Sequence, residues 1–233
     1  MKLGIMQPYF FPYLGYWQLM NAVDTYVVCD DVTYIKGGWI NRNQIKINGA
    51  PSMICVPVKD VSQNRMICKH ELAIDEKQKQ KLCQSVDLAY RHAPYHADVM
   101  QLFCRVMDAA SGNLVQFLLR SIRDTAEYLG IQTQLLLSSE MEKDTSKKKQ
   151  EKILDICSRL NATEYYNAIG GKALYDAPTF REHGIDLHFL KMDEDIRYPQ
   201  GKGDFLPYLS ILDVMMYNSK EEFHALLSRY TLE

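Results

Sequence analysis

The 233-residue chain contains no apolar run approaching the roughly 18 residues that a membrane-crossing helix needs, so no helical span is expected. Its N-terminus lacks the basic, apolar and small-residue succession of a signal peptide, and Met1-Lys2 runs straight into an apolar segment. A cytoplasmic location is the resulting expectation. An excess of one charge is missing too: 27 Lys and Arg stand against 29 Asp and Glu, a net charge of -2. A dedicated nucleic-acid binder carries a strong basic excess, so that class is disfavoured. The six cysteines (Cys29, Cys55, Cys68, Cys83, Cys104, Cys157) form no CxxC and no His/Cys spacing suited to a metal. They read as reduced, mostly buried thiols, and no metal site is expected. The six histidines make no HxH or HExxH, and Pro94 separates His92 from His96. No nucleophile elbow and no Ser-His-Asp order is present, which disfavours hydrolase chemistry. With no internal repeat, low-complexity tract or linker, residues 1–233 read as one domain.

What is there begins with Met6-Gln7-Pro8-Tyr9-Phe10-Phe11-Pro12-Tyr13-Leu14-Gly15-Tyr16, in which two prolines and five aromatic rings crowd eleven positions. It follows the short apolar run Leu3-Gly4-Ile5. Proline fixes φ and pushes the residue before it out of helical space, so Gln7-Pro8 leaves a strand sharply. Pro12 is placed for the first turn of a helix running to about Ala22. A strand, a stiff aromatic turn and a helix N-terminus are what open α/β sheets place beside ligands. The same aromatics can equally plug the end of a sheet, and spacing alone leaves both readings open.

Further on, Thr25-Tyr26-Val27-Val28-Cys29 is a β-branched and aromatic strand that ends in Asp30-Asp31. Gln44–Ile47 and Met53–Val58 flank Asn48-Gly49, the signal of a tight hairpin, within an antiparallel excursion over about 40–70. Helices are expected over about 76–90, capped by Asp75, then after Pro94, then from a Ser111 cap to Gly130, with a helical insertion over about 75–110. Ile131–Leu137, Tyr165-Tyr166-Asn167 and Ile185–Leu190 read as strands, and two helical runs follow around 208–218 and 220–229. Strand, helix, strand with a glycine-containing exit is the unit of a parallel sheet. The expected class is therefore α/β: a Rossmann-like sandwich with a mostly parallel sheet, an inserted β-hairpin and a helical C-terminal half.

Three strand exits can share one sheet edge: Gln7-Pro8-Tyr9, Asp30-Asp31, and Asn167 to Gly170-Gly171. Lys36, Arg42 and Lys172 can bring positive charge there, and Trp39 and Tyr9 a stacking face for a base or sugar. Asp30 and Asp31 can hold a metal, act as a base or bind a ligand amine, or simply cap a turn. Gly170-Gly171 alone is no phosphate fingerprint. Lys147-Lys148-Lys149 at a helix start reads as a solvated face, with room for a phosphate contact through Ser146 and Lys147.

Met6 to Gly15, Asp30-Asp31-Val32, and Trp39-Ile40-Asn41-Arg42-Asn43, in that order, resemble the WbqC-like family. Gly170-Gly171 and Leu209-Ser210-Ile211-Leu212-Asp213 extend the resemblance over nearly the whole chain. That family is associated with gene clusters for O-antigen and related bacterial polysaccharides. The resemblance implies transfer of an aminoacyl group, of glycyl type, onto an amino sugar that is free or nucleotide-linked. It brings no catalytic residues with it. Amide formation needs a base, oxyanion donors and a nucleotide site. Asp30 or Asp31 is the candidate base or amine-holder, and Arg42 and Asn43 are candidate phosphate or oxyanion donors. Gln7, Pro8, Tyr9, Lys36, Trp39, Gly170, Gly171 and Lys172 are the candidate substrate-binding residues. The acyl donor is open: an acyl-carrier-protein thioester, an aminoacyl-tRNA or an adenylate. One alternative is an ATP-using adenylating or nucleotidyltransferase-like enzyme, since Pro8-Tyr9 to Gly15-Tyr16 occupies the place of an HxGH signature without its histidines. The other is a non-catalytic module that binds a sugar nucleotide or a partner enzyme.

Overall fold

Leu3 and Ile5 share one face of the first strand and Gly4 and Met6 the other, and this period of two sets the layers of the fold. In the computed structural model, which describes residues 1–233, β1 (Lys2–Met6) leads into α1 (Leu14–Asn21) and β2 (Thr25–Val28). A hairpin of β3 (Arg42–Ile47) and β4 (Ala50–Cys55) comes next, then α2 (Glu76–Tyr90), α3 (His96–Asp108) and α4 (Leu114–Tyr128). The chain then alternates β5 (Gln134–Leu137), α5 (Lys149–Arg159), β6 (Glu164–Ala168), α6 (Ala177–Glu182) and β7 (Asp186–Met192). It ends with α7 (Ile211–Tyr217), α8 (Lys220–Leu227) and β8 (Tyr230–Leu232).

The main sheet has the order β5-β2-β1-β6-β7-β8. Its first five strands are parallel and β8 is antiparallel to β7. From β1 the chain builds outward through β2 to β5, then returns to lay β6 on the other side of β1 and continues to β7. The reversal leaves a crevice at the carboxyl ends of β1 and β6, where open parallel sheets take their ligands. The structure is thus the expected α/β sandwich, with the hairpin as a separate two-stranded sheet.

The two faces of the sheet are unequal. Tyr26, Val28 and Tyr166 join a core of 46 buried residues that includes α1, the three-helix insertion and the last two helices. Leu3, Ile5, Val27 and Tyr165 join a core of only 12, closed by α5 and α6. Neighbouring residues on β2 and on β6 fall into different cores because successive side chains leave a strand on opposite faces.

Several expectations shift by a few residues. Pro12 lies just outside α1, whose first residue is Leu14, and its carbonyl accepts the Trp17 indole N–H at 3.0 Å. Asn113, not Ser111, caps α4 by accepting from Val115 and Gln116, because its side-chain oxygen reaches both orphan amides. β5 starts at Gln134 rather than Ile131, and the helical insertion runs on through α4 to Tyr128. The short β8 carried no recognisable pattern. The Asn48-Gly49 turn is as expected, with φ of 51° and 78°, the left-handed pair that a two-residue hairpin requires.

The segment between β7 and α7 is fastened by a buried carboxylate. Asp213 accepts from the Tyr90 hydroxyl (2.8 Å), the Tyr198 hydroxyl (2.7 Å) and the Gln200 amide (2.7 Å). Lys46 of β3 donates to the carbonyls of Gln200 and Asp204. Hairpin, helical insertion and C-terminal segment are tied at one polar knot.

Candidate functional site

The aromatic turn after β1 is strapped from beneath. Phe10 and Phe11 are fully buried, and Phe11 holds a φ of 43°, which costs a non-glycine residue about 1–2 kcal/mol. The Asn43 amide donates to the carbonyls of Phe10 (3.0 Å) and Phe11 (2.7 Å), and the Ser210 hydroxyl donates to that of Phe11 (2.8 Å). The Phe10 amide in turn donates to the Trp39 carbonyl at 3.2 Å. With its buried rings pinned, the turn presents Gln7, Tyr9 and Tyr13 to the crevice.

That crevice is a cavity of about 490 Å³. Tyr9, Tyr16, Trp39, Gln7, Asn167 and Gly171 are among its walls. Trp39 is 44 % exposed and presents its ring at the cavity wall. The Gln7 Oε1 is shielded from solvent and has no hydrogen-bond partner. A smaller annex of about 240 Å³ continues past Tyr9, Tyr13 and Trp39 to Asn43 and the exposed Tyr208. Asn167 donates to the Tyr165 hydroxyl at 2.6 Å. A Cβ on Gly171 would stand 2.5 Å from the Asn167 side-chain oxygen, so glycine there leaves the Asn167 side chain in place at the end of β6. Burial, helped by the neighbouring Tyr13, pushes the Tyr9 hydroxyl up to about 12, and it stays protonated at neutral pH.

A second cavity of about 470 Å³ adjoins the first, and Val32, Lys149 and Lys152 line both. Asp31 stands at its wall, with one oxygen 2.5 Å from the Lys152 ammonium and the other 2.9 Å from that of Lys143. Burial raises the Asp31 carboxyl, but the hydrogen bonds from the two lysines more than offset it and hold the group at about 2. Asp31 is therefore ionised throughout the physiological range and a weak base. Asp30 is buried at 1 % exposure and fully engaged, accepting the Ser139 amide at 2.9 Å and the Ser139 hydroxyl at 2.6 Å. It joins the end of β2 to the segment leaving β5. Burial pushes the Cys29 thiol up to about 11, so it is not a thiolate nucleophile.

Of the residues singled out from sequence, Gln7, Tyr9, Trp39, Gly170 and Gly171 meet in the main cavity, and Asp31 in its neighbour. Pro8 is buried and lines neither, and Lys36 is exposed on its loop. Arg42 donates to the carbonyls of Gly37 and Gly38 and so shapes the loop that carries Trp39. Lys172 pairs with Glu233 at 2.6 Å on the surface. Asn43 and Asp30 hold backbone in place. Tyr13, Tyr16, Tyr208, Lys143 and Lys152 also line these cavities and are not among the residues expected from sequence, while Lys149 belongs to the lysine run read as a solvated face. Lys149 and Lys152 lie three apart on the first turn of a helix that follows a parallel strand, the local signal that could have paired them.

The chain is thus a doubly wound, mostly parallel α/β protein with an aromatic-walled cavity at its switch point. The model of the WbqC-like protein family matches residues 7–225, and the chain belongs to that family. It is 27 % identical over 215 residues to the uncharacterised protein Rv1507c of Mycobacterium tuberculosis, with 92 % of each chain covered. No solved structure matches.

Proposed function

We propose that the switch-point cavity binds a nucleotide-linked amino sugar and that the chain acylates the sugar's amine with an aminoacyl group during assembly of a surface polysaccharide. The observation that carries this reading is the cavity between β1 and β6, with exposed Trp39 and half-buried Tyr9 as ring faces and Gln7, whose Oε1 has no partner, in its wall. A ring stacked on an aromatic side chain gains about 1–3 kcal/mol, a usual way to hold a base or sugar. The Gln7 oxygen, costly while buried and unpaired, gains a partner when its side chain turns toward the cavity and accepts an N–H from the ligand. It takes the amine-holding role expected of the aspartates, since Asp30 is engaged and Asp31 is shared by two lysines.

In the transfer, the neutral amine attacks the acyl carbonyl carbon, a C–N bond forms, and the bond to the donor group breaks. The amine's proton leaves with the departing group, because Asp31, held at about 2, is too weak a base to keep it. The donor itself, whether carrier-protein thioester, aminoacyl-tRNA or adenylate, is not specified by the cavity. The test is calorimetry with a nucleoside-diphosphate amino sugar such as UDP-glucosamine, followed by mass spectrometry of the sugar after incubation with each donor class. Binding that weakens in both Trp39→Ala and Gln7→Ala, with a new amide on the sugar, supports the reading. Binding without any acylated product favours the non-catalytic module, and tight binding of ATP alone favours the adenylating enzyme.

A further inference from the structure

We propose that the lysine-walled chamber behind the cleft is a site for linked phosphates, two or more in series; this rests on the ligand reading above and extends it. Six lysines line the chamber (Lys69, Lys143, Lys147, Lys148, Lys149 and Lys152), against only Asp31 and Asp144. This concentration of cations occurs in a chain whose net charge is -2. Asp31 takes Lys143 and Lys152, and Asp155, outside the chamber, takes Lys147 at 3.3 Å. Lys69, Lys148 and Lys149 have no acidic partner. Gathering like charges around one hollow opposes folding by an amount that grows as water is excluded, and an anion reverses the sign of that term.

The chamber's position fits the rest of the ligand. Lys149 and Lys152 stand on the boundary shared with the aromatic cavity, so a ring held at Trp39 and Tyr9 can lead directly into charge neutralisation. α5 begins at this wall with no side-chain cap on its first amides, which adds donors to the ammonium groups. Asp31 already holds two of the chamber's lysines, as a carboxylate in part of the place an anion would take. Phosphate oxygens must compete with it for Lys143 and Lys152, while Lys69, Lys148 and Lys149 are uncommitted. A chain of phosphates offers more oxygens than a single phosphate to cations drawn from both the Lys69 segment and the start of α5.

The shared chemistry is the phosphate chain, and its source is either the diphosphate of a sugar nucleotide or the tail of a nucleoside triphosphate. The experiment titrates the full-length protein with inorganic pyrophosphate, orthophosphate, UDP-glucosamine and ATP at low ionic strength. Pyrophosphate is expected to bind at least about tenfold more tightly than orthophosphate, and the Lys148→Ala/Lys149→Ala double variant to weaken it by about tenfold or more. Lys220→Ala, on α8, should leave it unchanged. Asp31→Asn, which removes the internal competitor, should tighten pyrophosphate binding. Equal affinity for pyrophosphate and orthophosphate, or a double variant that binds as the parent does with an unchanged melting temperature, would overturn the assignment. The two readings fail separately. If UDP-glucosamine binds through Trp39 but ignores the lysine substitutions, the chamber assignment falls and the ring site stands. If pyrophosphate obeys the lysine substitutions but neither nucleotide binds more tightly than pyrophosphate, the reverse holds. Whichever nucleotide responds to both Trp39→Ala and the double variant identifies the source of the phosphates.

Discussion

Replacing Asn43 by alanine separates a structural strap from a chemical role. Asn43 is 4 % exposed, and its amide reaches two carbonyls of the aromatic turn, at 3.0 and 2.7 Å, while its oxygen accepts the Gln44 amide at 2.8 Å. Phe10 and Phe11 are fully buried, so water has little access to the carbonyls that the substitution strands. A buried polar group left unpaired costs about 1–3 kcal/mol. The Phe11 carbonyl keeps the Ser210 hydroxyl at 2.8 Å, so its loss is partial. The expected destabilisation is about 2–4 kcal/mol, a large part of the 5–15 kcal/mol typical of a folded domain. The melting temperature should fall by roughly 5–15 °C. Urea unfolding followed through the fluorescence of Trp17 and Trp39 measures it directly. Asn43→Asp should be worse still, because it turns a donor into an anion facing two carbonyl oxygens. A loss of less than about 0.5 kcal/mol accompanied by lost ligand binding would refute the strap and return the Asn43 amide to the chemistry of the site.

Other substitutions probe other parts of the structure. Because the folded Asp31 carboxyl is depressed from 3.8 to about 2, its contribution is fully present above pH 3.8 and vanishes as pH falls toward 2. It amounts to at most about 2 kcal/mol, and acid titration of the parent against Asp31→Asn should show the difference confined to that window. Trp39→Ala should leave urea stability within about 0.5 kcal/mol, since the ring is substantially exposed, while weakening the nucleotide sugar by roughly tenfold or more in calorimetry. Gly171→Ala should force Asn167 aside and reduce ligand affinity more than stability, read by the same two assays. Asp213→Ala strands the donors of Tyr90, Tyr198 and Gln200 and should cost about 3 kcal/mol or more in denaturant unfolding.

Residues whose role depends on neighbours along the chain could be read without a structure. The period of two in β1 and β2, the Asn48-Gly49 turn, the Asp75 cap and the helical stripes are local signals, and they yielded the α/β class and most element positions. The sharp exit at Gln7-Pro8 likewise marked where the crevice opens. What sequence could not decide was the use of each polar side chain once distant segments met. Asp30 and Asp31 are adjacent in the chain, yet one is taken by Ser139 and the other by Lys143 and Lys152, more than a hundred residues away. Asn43 reaches Phe10 and Phe11, and Asp213 gathers Tyr90 and Tyr198. A run of lysines that reads as a solvated helix start becomes a chamber wall only when β5, α5 and the Lys69 segment are brought together. Backbone propensity and apolar spacing act over a few residues and are written in the local sequence. Hydrogen bonds and charge pairing depend on which groups lie within about 3 Å of one another. For these residues the long-range packing of the tertiary structure decides that.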